Sequence, residues 1–211
     1  MKMIEVKNIE VLNMRNAIRA MRNPLDSWNS SDSCYTSEDI SEYNIPSHEF
    51  VLGEKDKKLA LKLIKSGTDH SKFMRMIFVS MDITAPLCWW HDFDTYKIST
   101  VKNSCSTMHK LGSRLLIKDD FSWDEFTIWR KSYLEYINSL IIKWQNDKSE
   151  HNFREMRHDL SGSFNQKATW TGNYQNLRSI YFGRKNHKQK EFRDFCDIIK
   201  TLPESNLIIC E

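Results

Sequence analysis

The sequence lacks the residue spacings that mark several common kinds of functional site. Its five cysteines include no Cys-x2-Cys pair and are odd in number, so the sequence signals neither a zinc site nor a disulfide framework. It contains no Gly-x-Gly-x-x-Gly loop and no Walker-type phosphate loop. We therefore expect no metal site, and reduced thiols in a cytoplasmic protein are the simplest interpretation.

Long apolar runs and a strong charge imbalance are also missing. No stretch approaches the roughly 20 apolar residues of a membrane-spanning helix, and the first seven residues lack the apolar run of a signal peptide. The net charge of +3 is mild and gives no support for a nucleic-acid partner. We therefore expect neither a membrane nor a nucleic acid as a partner.

The composition is that of one soluble globular domain. The 211 residues are 40% hydrophobic and 28% charged, which is enough for a sizeable core in a single domain spanning residues 1–211. Eleven Phe, seven Tyr and seven Trp are many aromatic residues for this length. Such residues usually fill cores and subunit interfaces.

Apolar periodicity predicts a mixture of strands and helices, and therefore an α+β or α/β class. The segment 74–83 is apolar on both faces, which is typical of a central strand. A capping box at Ser122–Glu125 predicts the start of a long helix with an aromatic face. The predicted strands are 3–11 and 74–83, and the predicted helices are 13–22, 55–65, 122–144 and 191–202. Residues 26–47, rich in Ser, Asp and Asn, predict an irregular loop.

Arg184 follows Asn173 by eleven residues, which is about three helical turns. On a continuous helix both would share one face, about 16 Å apart, and could contact an elongated ligand such as a nucleotide. The planar fork of arginine suits phosphate groups and pyrimidine carbonyls. The alternative is a solvated basic turn at residues 184–188, and spacing alone favours that alternative.

Two further groups of residues have simple structural interpretations. If they lay on an extended segment, Asp92 and Asp94 would point the same way, as metal ligands could. Hydrogen-bonding or capping roles are preferred, because no further ligand accompanies them. For the adjacent Trp89 and Trp90, burial in the core is a more common fate than stacking on a base or a flavin.

A spaced set of residues near the C-terminal end resembles part of the active site of the flavin-dependent thymidylate synthases. The pattern is R-x2-L-x9-W-T-x-N-x3-L-x6-R, formed by Arg157, Leu160, Trp170, Thr171, Asn173, Leu177 and Arg184. Upstream, residues 85–109 resemble the flavin motif of that family, with Asn103 and Ser106 at its asparagine and second serine. Its arginine-histidine-arginine triplet is replaced by Thr95, Tyr96 and Lys97.

The resemblance implies specific roles for individual residues. Arg184 would stabilise negative charge that develops on a pyrimidine ring, and would be the catalytic residue. The nucleotide would also be held by Arg157, Asp92, Thr95, Ser104 and Ser106. The flavin would be contacted by Tyr96, Lys97, Asn173, Gln175 and Ser179. Here Ser104 stands where the family has glutamate, and Gln175 stands where it has arginine.

The resemblance also implies a fold, a reaction and an assembly. The fold would be α+β, a single domain with a central mixed or antiparallel sheet and flanking helices. The reaction would be methylation of deoxyuridylate, with methylenetetrahydrofolate as carbon donor and FAD, reduced by NADPH, as hydride donor. The sites would lie between the subunits of a homotetramer.

Two alternatives remain open. One is a non-catalytic or repurposed nucleotide-binding protein that has lost the flavin, which the changes at Thr95, Tyr96, Ser104, Met108 and Gln175 favour. The other is a structural or interaction protein with the aromatic helix 123–144 as its main feature.

Overall fold

The computed structural model describes residues 4–35 and 50–211. Within that part of the chain the strands are β1 Glu5–Leu12, β2 Cys34–Tyr35, β3 Phe50–Val51, β4 Phe78–Pro86, β5 Val101–Ser104 and β6 Asn165–Asn173. The helices are α1 Met14–Ala20, α2 Glu54–Lys65, α3 Leu87–Phe93, α4 Thr107–Lys110, α5 Ile128–Asn146, α6 Glu150–His158, α7 Tyr174–Arg184, α8 Lys190–Ile199 and α9 Asn206–Ile209. This confirms the α+β class.

The main sheet has four strands in the order β1-β4-β6-β5, and every neighbouring pair is antiparallel. The two central strands, β4 and β6, pair along their whole length, from Phe78 opposite Asn173 to Pro86 opposite Asn165. This confirms the predicted central antiparallel sheet. β2 and β3 form a separate two-stranded sheet.

The predicted strand at 74–83 is central, as expected, but its start and its pattern were wrong. Residues Lys72–Met76 form a 3-10 helix, and the strand begins at Phe78. From there the pattern alternates: Val79, Met81 and Ile83 are buried, whereas Ser80, Asp82 and Thr84 lie on the other, partly exposed face. The apolar second face of the prediction came from residues of the preceding 3-10 helix.

One face of the sheet packs on the main core. The buried side chains of β4 and β6 meet helices α1, α2, α3, α7 and α8 there. Trp89 and Trp90 are almost fully buried in this core, as predicted. Trp89 stacks on Phe93 with ring centroids 4.4 Å apart, and contacts Phe192 and Phe195 of α8.

A second core lies between α5, α6 and the segment 111–123. Phe121 and Trp123 stack in parallel there, with centroids 4.2 Å apart. The predicted capping box at Ser122 was wrong, because α5 begins at Ile128 and its N-terminal cap is Thr127. The hydroxyl group of Ser122 instead donates to Asn165 at the start of β6.

Hydrogen bonds join the segment before β2 to the start of α2. The carboxylate of Asp32 accepts hydrogen bonds from the backbone N–H groups of Lys55 and Asp56. Asp56 is fully buried and forms an ion pair with buried Arg22 at 2.5 Å. The predicted loop at 26–47 therefore has an ordered beginning, while its residues 36–47 lie outside the described part of the chain.

Two kinds of feature are missing from residues 4–35 and 50–211. No helix there is both long and apolar enough to cross a membrane. The same residues contain no group of three or more His, Cys, Asp or Glu side chains placed to hold a metal ion.

Candidate functional site

Arg184, the last residue of α7, lies in an aromatic cage formed by Tyr96, His187 and Phe192. Its Nε donates to the Tyr96 hydroxyl oxygen at 3.0 Å, and its Nη1 lies 2.7 Å from Nε2 of His187. Its guanidinium carbon lies 4.6 Å from the centroid of the Phe192 ring. Arg184 is therefore half-buried and fixed, unlike a residue of a freely solvated basic turn.

No carboxylate pairs with Arg184 among the described residues, although other arginines of the chain have such partners. Buried Arg22 is paired with Asp56, and Arg114 donates two hydrogen bonds to Asp120 at 2.6 and 2.7 Å. The partners of Arg184 are a phenol, an imidazole and a ring face, which leave its positive charge uncompensated. A half-buried cation of this kind attracts an anion or a polarised carbonyl oxygen.

The helix that carries Arg184 is started by Asn173. The side chain of Asn173 accepts from the backbone N–H of Asn176, and the side chain of Asn176 accepts from the backbone N–H of Asn173, both at 3.0 Å. This reciprocal pair is a capping box, which satisfies backbone donors at the helix start. Asn173 is 3% exposed, so its side chain serves the helix, whereas the resemblance implied a flavin contact.

We expect Asn173→Ala to lower the free energy of unfolding by about 1 kcal/mol, because the helix loses its N-terminal cap. Asn173→Ser is the matched control, since serine also caps well and should stay within a few tenths of a kcal/mol of the wild type. Urea unfolding of the ligand-free protein measures both. Equal stability of the alanine variant and the wild type would show that Asn173 has no capping role.

The other side chains assigned to the flavin are dispersed around α7 and the end of α3. Ser179 donates to the backbone carbonyl of Gln175 on the exposed side of α7. Lys97 is exposed, and no hydrogen bond or ion pair of its side chain occurs within the described residues. Tyr96 is bonded to Arg184, so the structure brings only one of these residues into the cage.

Asp92 and Asp94 do not lie on an extended segment. Asp92 belongs to α3, and its carbonyl oxygen accepts from the Thr95 hydroxyl at 2.7 Å. Asp94 is the C-terminal cap residue of α3 and forms an ion pair with Lys102. The condition that both lie on an extended segment was therefore wrong. The preferred hydrogen-bonding role fits the side chain of Asp94, whereas the contact of Asp92 is made by its backbone.

Ser104 and Ser106 lie at the far edge of the sheet. Ser104 ends β5 and is exposed, and Ser106 caps α4 by accepting from the N–H of His109. Ser106 also lines a cavity of about 300 Å³ between residues 105–120 and the start of β6. Lys110, Arg114 and Lys167 line the same cavity, whereas Arg184 does not.

Arg157 lies on α6, beside the second core. Its neighbour Met156 is buried in that core, whereas the Arg157 side chain faces solvent. Arg184 belongs to a helix of the main core. Arg157 and the cavity at Ser106 thus both border the second core, and among the described residues no hydrogen bond or ion pair joins either of them to the cage around Arg184.

Sequence reasoning missed His187 and Phe192 as neighbours of Arg184, and Gly183 as a neighbour of Tyr96. His187 follows Arg184 by three residues, a spacing that could have suggested the contact. Phe192 was recognised only as part of the apolar face of its helix. Tyr96 comes from a segment 88 residues away, so no local spacing could have placed it.

Comparison with known proteins finds a likeness in the fold but none in the sequence. No protein-family model matches the chain, and no curated protein matches it. A crystal structure of thymidylate synthase X from Helicobacter pylori with FAD and dUMP matches with a TM-score of 0.71 and 14% identity, over 98% of this chain and 97% of that one. A flavin-dependent thymidylate synthase from Helicobacter pylori, complexed with FAD and dUMP, gives 0.72 and 15% over 97% and 98%. These matches confirm the fold inferred from the sequence.

Proposed function

We propose that this protein binds a pyrimidine nucleotide of the deoxyuridylate type and that Arg184 holds the pyrimidine ring. The observation that carries the proposal is the half-buried guanidinium of Arg184, which is fixed by the aromatic cage and has no carboxylate partner among the described residues. The full-length likeness to chains crystallised with dUMP supports it.

The cage gives Arg184 a specific chemical role in this proposal. A planar guanidinium donates hydrogen bonds to carbonyl oxygens, and a fixed one does so without reorganising. The ring of Phe192 lies over one face of the guanidinium, and partial burial of this kind strengthens an electrostatic interaction with a ligand. Arg184 would therefore stabilise negative charge on a pyrimidine ring.

The phosphate of the nucleotide would be held by Arg157 and by residues at the cavity beside Ser106. Ser104 and Ser106 would bind it beside the cavity of about 300 Å³, where Lys110 supplies positive charge. Exposed Arg157 would contribute a further cation. A complete site would combine residues of different subunits, consistent with the homotetramer that the sequence resemblance implies.

Most of the residues that the resemblance assigns to a flavin already make contacts within the chain. The polar groups of Tyr96, Asn173 and Ser179 already form hydrogen bonds within the chain. The hydroxyl of Thr95 is also bonded, to the carbonyl oxygen of Asp92. Only Lys97 and Gln175 keep side chains without a described hydrogen bond, so we derive no step through FAD.

The second candidate function is the complete reaction, methylation of deoxyuridylate with methylenetetrahydrofolate, FAD and NADPH. The likeness to chains crystallised with both FAD and dUMP favours it. Titration of FAD into the purified protein separates the candidates, because bound flavin absorbs visible light. A colourless protein that cannot be reconstituted with FAD, yet binds the nucleotide, would eliminate the reaction and keep the nucleotide site.

Deoxyuridylate should raise the melting temperature, because it binds only the folded state. At a hundredfold excess over its Kd it adds about 2.7 kcal/mol, or about 5–10 °C for a chain of this size. Differential scanning fluorimetry with deoxyuridylate, cytidylate and thymidylate measures the shift. No shift with any of the three at millimolar concentration would contradict the proposed function.

Arg157→Ala should reduce this shift if Arg157 contacts the nucleotide. Arg154→Ala is the matched control, since Arg154 is an exposed arginine on the same helix. A reduction in both variants would indicate only a general loss of positive charge.

A further inference from the structure

Within the described residues, the hydroxyl oxygen of Tyr96 accepts a hydrogen bond from Nε of Arg184 at 3.0 Å. We propose that Tyr96 is a positioning residue: it fixes the guanidinium of Arg184 in the orientation that meets the pyrimidine. This assignment rests on the proposed function, and it replaces the flavin contact that the sequence resemblance implied for Tyr96.

The contacts of Arg184 leave one part of its guanidinium open. Tyr96 occupies Nε, Nη1 lies against His187, and Phe192 covers a face of the group. Nη2 is the one nitrogen of Arg184 with no hydrogen bond to the described residues. A ligand carbonyl oxygen would therefore be met by Nη2, and the hydroxyl group of Tyr96 decides that this nitrogen faces the ligand.

His187 supports the same orientation. An arginine can only donate hydrogen bonds, so Nε2 of His187 must be the acceptor in its 2.7 Å contact with Nη1. Tyr96 and His187 thus both contact Arg184, and neither is a carboxylate. They restrain the cation without neutralising it.

Gly183 makes room for Tyr96. A Cβ atom at this position would lie 2.9 Å from the Tyr96 hydroxyl oxygen, closer than atoms approach without a shift. Glycine inside a helix normally makes the helix less stable than alanine would. Helix α7 thus has glycine, a residue that disfavours helices, where the Tyr96 hydroxyl approaches Arg184.

Tyr96→Phe tests the assignment because it removes the acceptor and keeps the ring. Calorimetric titration with deoxyuridylate should show a Kd at least about tenfold higher, because Arg184 is no longer held in the orientation that meets the ligand. The melting temperature of the ligand-free protein should fall as well, since this hydrogen bond lies within the chain, so the affinity is the deciding measurement. Tyr136→Phe is the matched control, because Tyr136 is 45% exposed and its hydroxyl group bonds Asp159 outside the cage.

A double-mutant cycle separates positioning from a general structural role. If Tyr96 acts through Arg184, Tyr96→Phe should have little further effect on affinity in an Arg184→Lys background. Additive losses from the two substitutions would contradict the assignment.

Gly183→Ala should change the affinity for deoxyuridylate and the melting temperature in different directions. The added methyl group should displace the Tyr96 hydroxyl and weaken deoxyuridylate binding, while the better helix propensity of alanine should maintain or raise the melting temperature. A purely structural role for this contact predicts that affinity and melting temperature change together.

The outcomes separate the two proposals. If the wild type binds deoxyuridylate and Tyr96→Phe binds it equally well, the positioning role is wrong and the nucleotide site stands. If the wild type binds none of the three pyrimidine nucleotides, both proposals are wrong. A tenfold loss for Tyr96→Phe that disappears in the Arg184→Lys background would establish the positioning role.

Discussion

Arg184→Lys should weaken deoxyuridylate binding by more than tenfold even though the positive charge is kept. Lysine is a point charge and cannot donate to Tyr96 and approach His187 while it also meets a ligand carbonyl. Each lost hydrogen bond to the charged group is worth about 1.5–3 kcal/mol. Calorimetric titration of wild type and variant measures the difference.

Arg154→Lys is the control for the same substitution at an exposed helical position. It should leave both affinity and melting temperature almost unchanged. If Arg184→Lys lowers the melting temperature but not the affinity for deoxyuridylate, the aromatic cage serves only to hold the α7–α8 region together, and the site assignment is wrong.

Asp56→Ala should destabilise the fold by about 3–5 kcal/mol, because it leaves the buried guanidinium of Arg22 without its partner. The hydroxyl groups of Ser31 and Ser33, which donate to Asp56 at 2.6 and 2.5 Å, would lose their acceptor as well. Urea unfolding measures the loss. Asp194→Ala, which breaks the exposed Lys190–Asp194 pair, should cost less than about 0.5 kcal/mol.

The difference in unfolding free energy between wild type and Asp56→Ala should depend on pH. Burial alone would raise the pKa of Asp56, but the hydrogen bonds from Ser31, Ser33 and Arg22 outweigh it and hold the pKa below the usual 3.8. A lowered pKa stabilises the fold above the unfolded-state value of about 3.9, and this contribution is lost as the pH falls through the folded-state value. The stability difference between wild type and Asp56→Ala should therefore be constant near neutrality and shrink in acid. A difference that grows in acid would contradict this account.

The sequence predicts the elements of this fold better than their boundaries. Apolar alternation indicated a central strand near residue 78, but the buried residues of the preceding 3-10 helix continued the pattern and moved its predicted start to 74. The residues 122–125 have the letters of a capping box, yet the Ser122 hydroxyl bonds Asn165, 43 residues away. In both cases contacts that are distant in sequence decide where an element begins.

The family resemblance named both Arg184 and Tyr96 as site residues, but it did not place them in contact with each other. Arg184 was identified through the family resemblance, whereas its spacing to Asn173 alone favoured a solvated basic turn. Its cage could not be predicted in the same way, because Tyr96 and Phe192 reach it from a different loop and a different helix. Asn173 was assigned to a ligand because helical spacing does not reveal that it is the cap of that helix.

The strand order of the main sheet has a consequence for the synthesis of the chain. β6 pairs with both β4 and β5, and it leaves the ribosome after both of them. Thr169 of β6, for example, bonds Asp82 of β4, 87 residues earlier. A nascent chain that stops before residue 165 therefore carries β4 with one edge unpaired, which is a surface prone to aggregation. The sheet therefore closes only after β6 has been synthesised, and non-local pairing of this kind is slow.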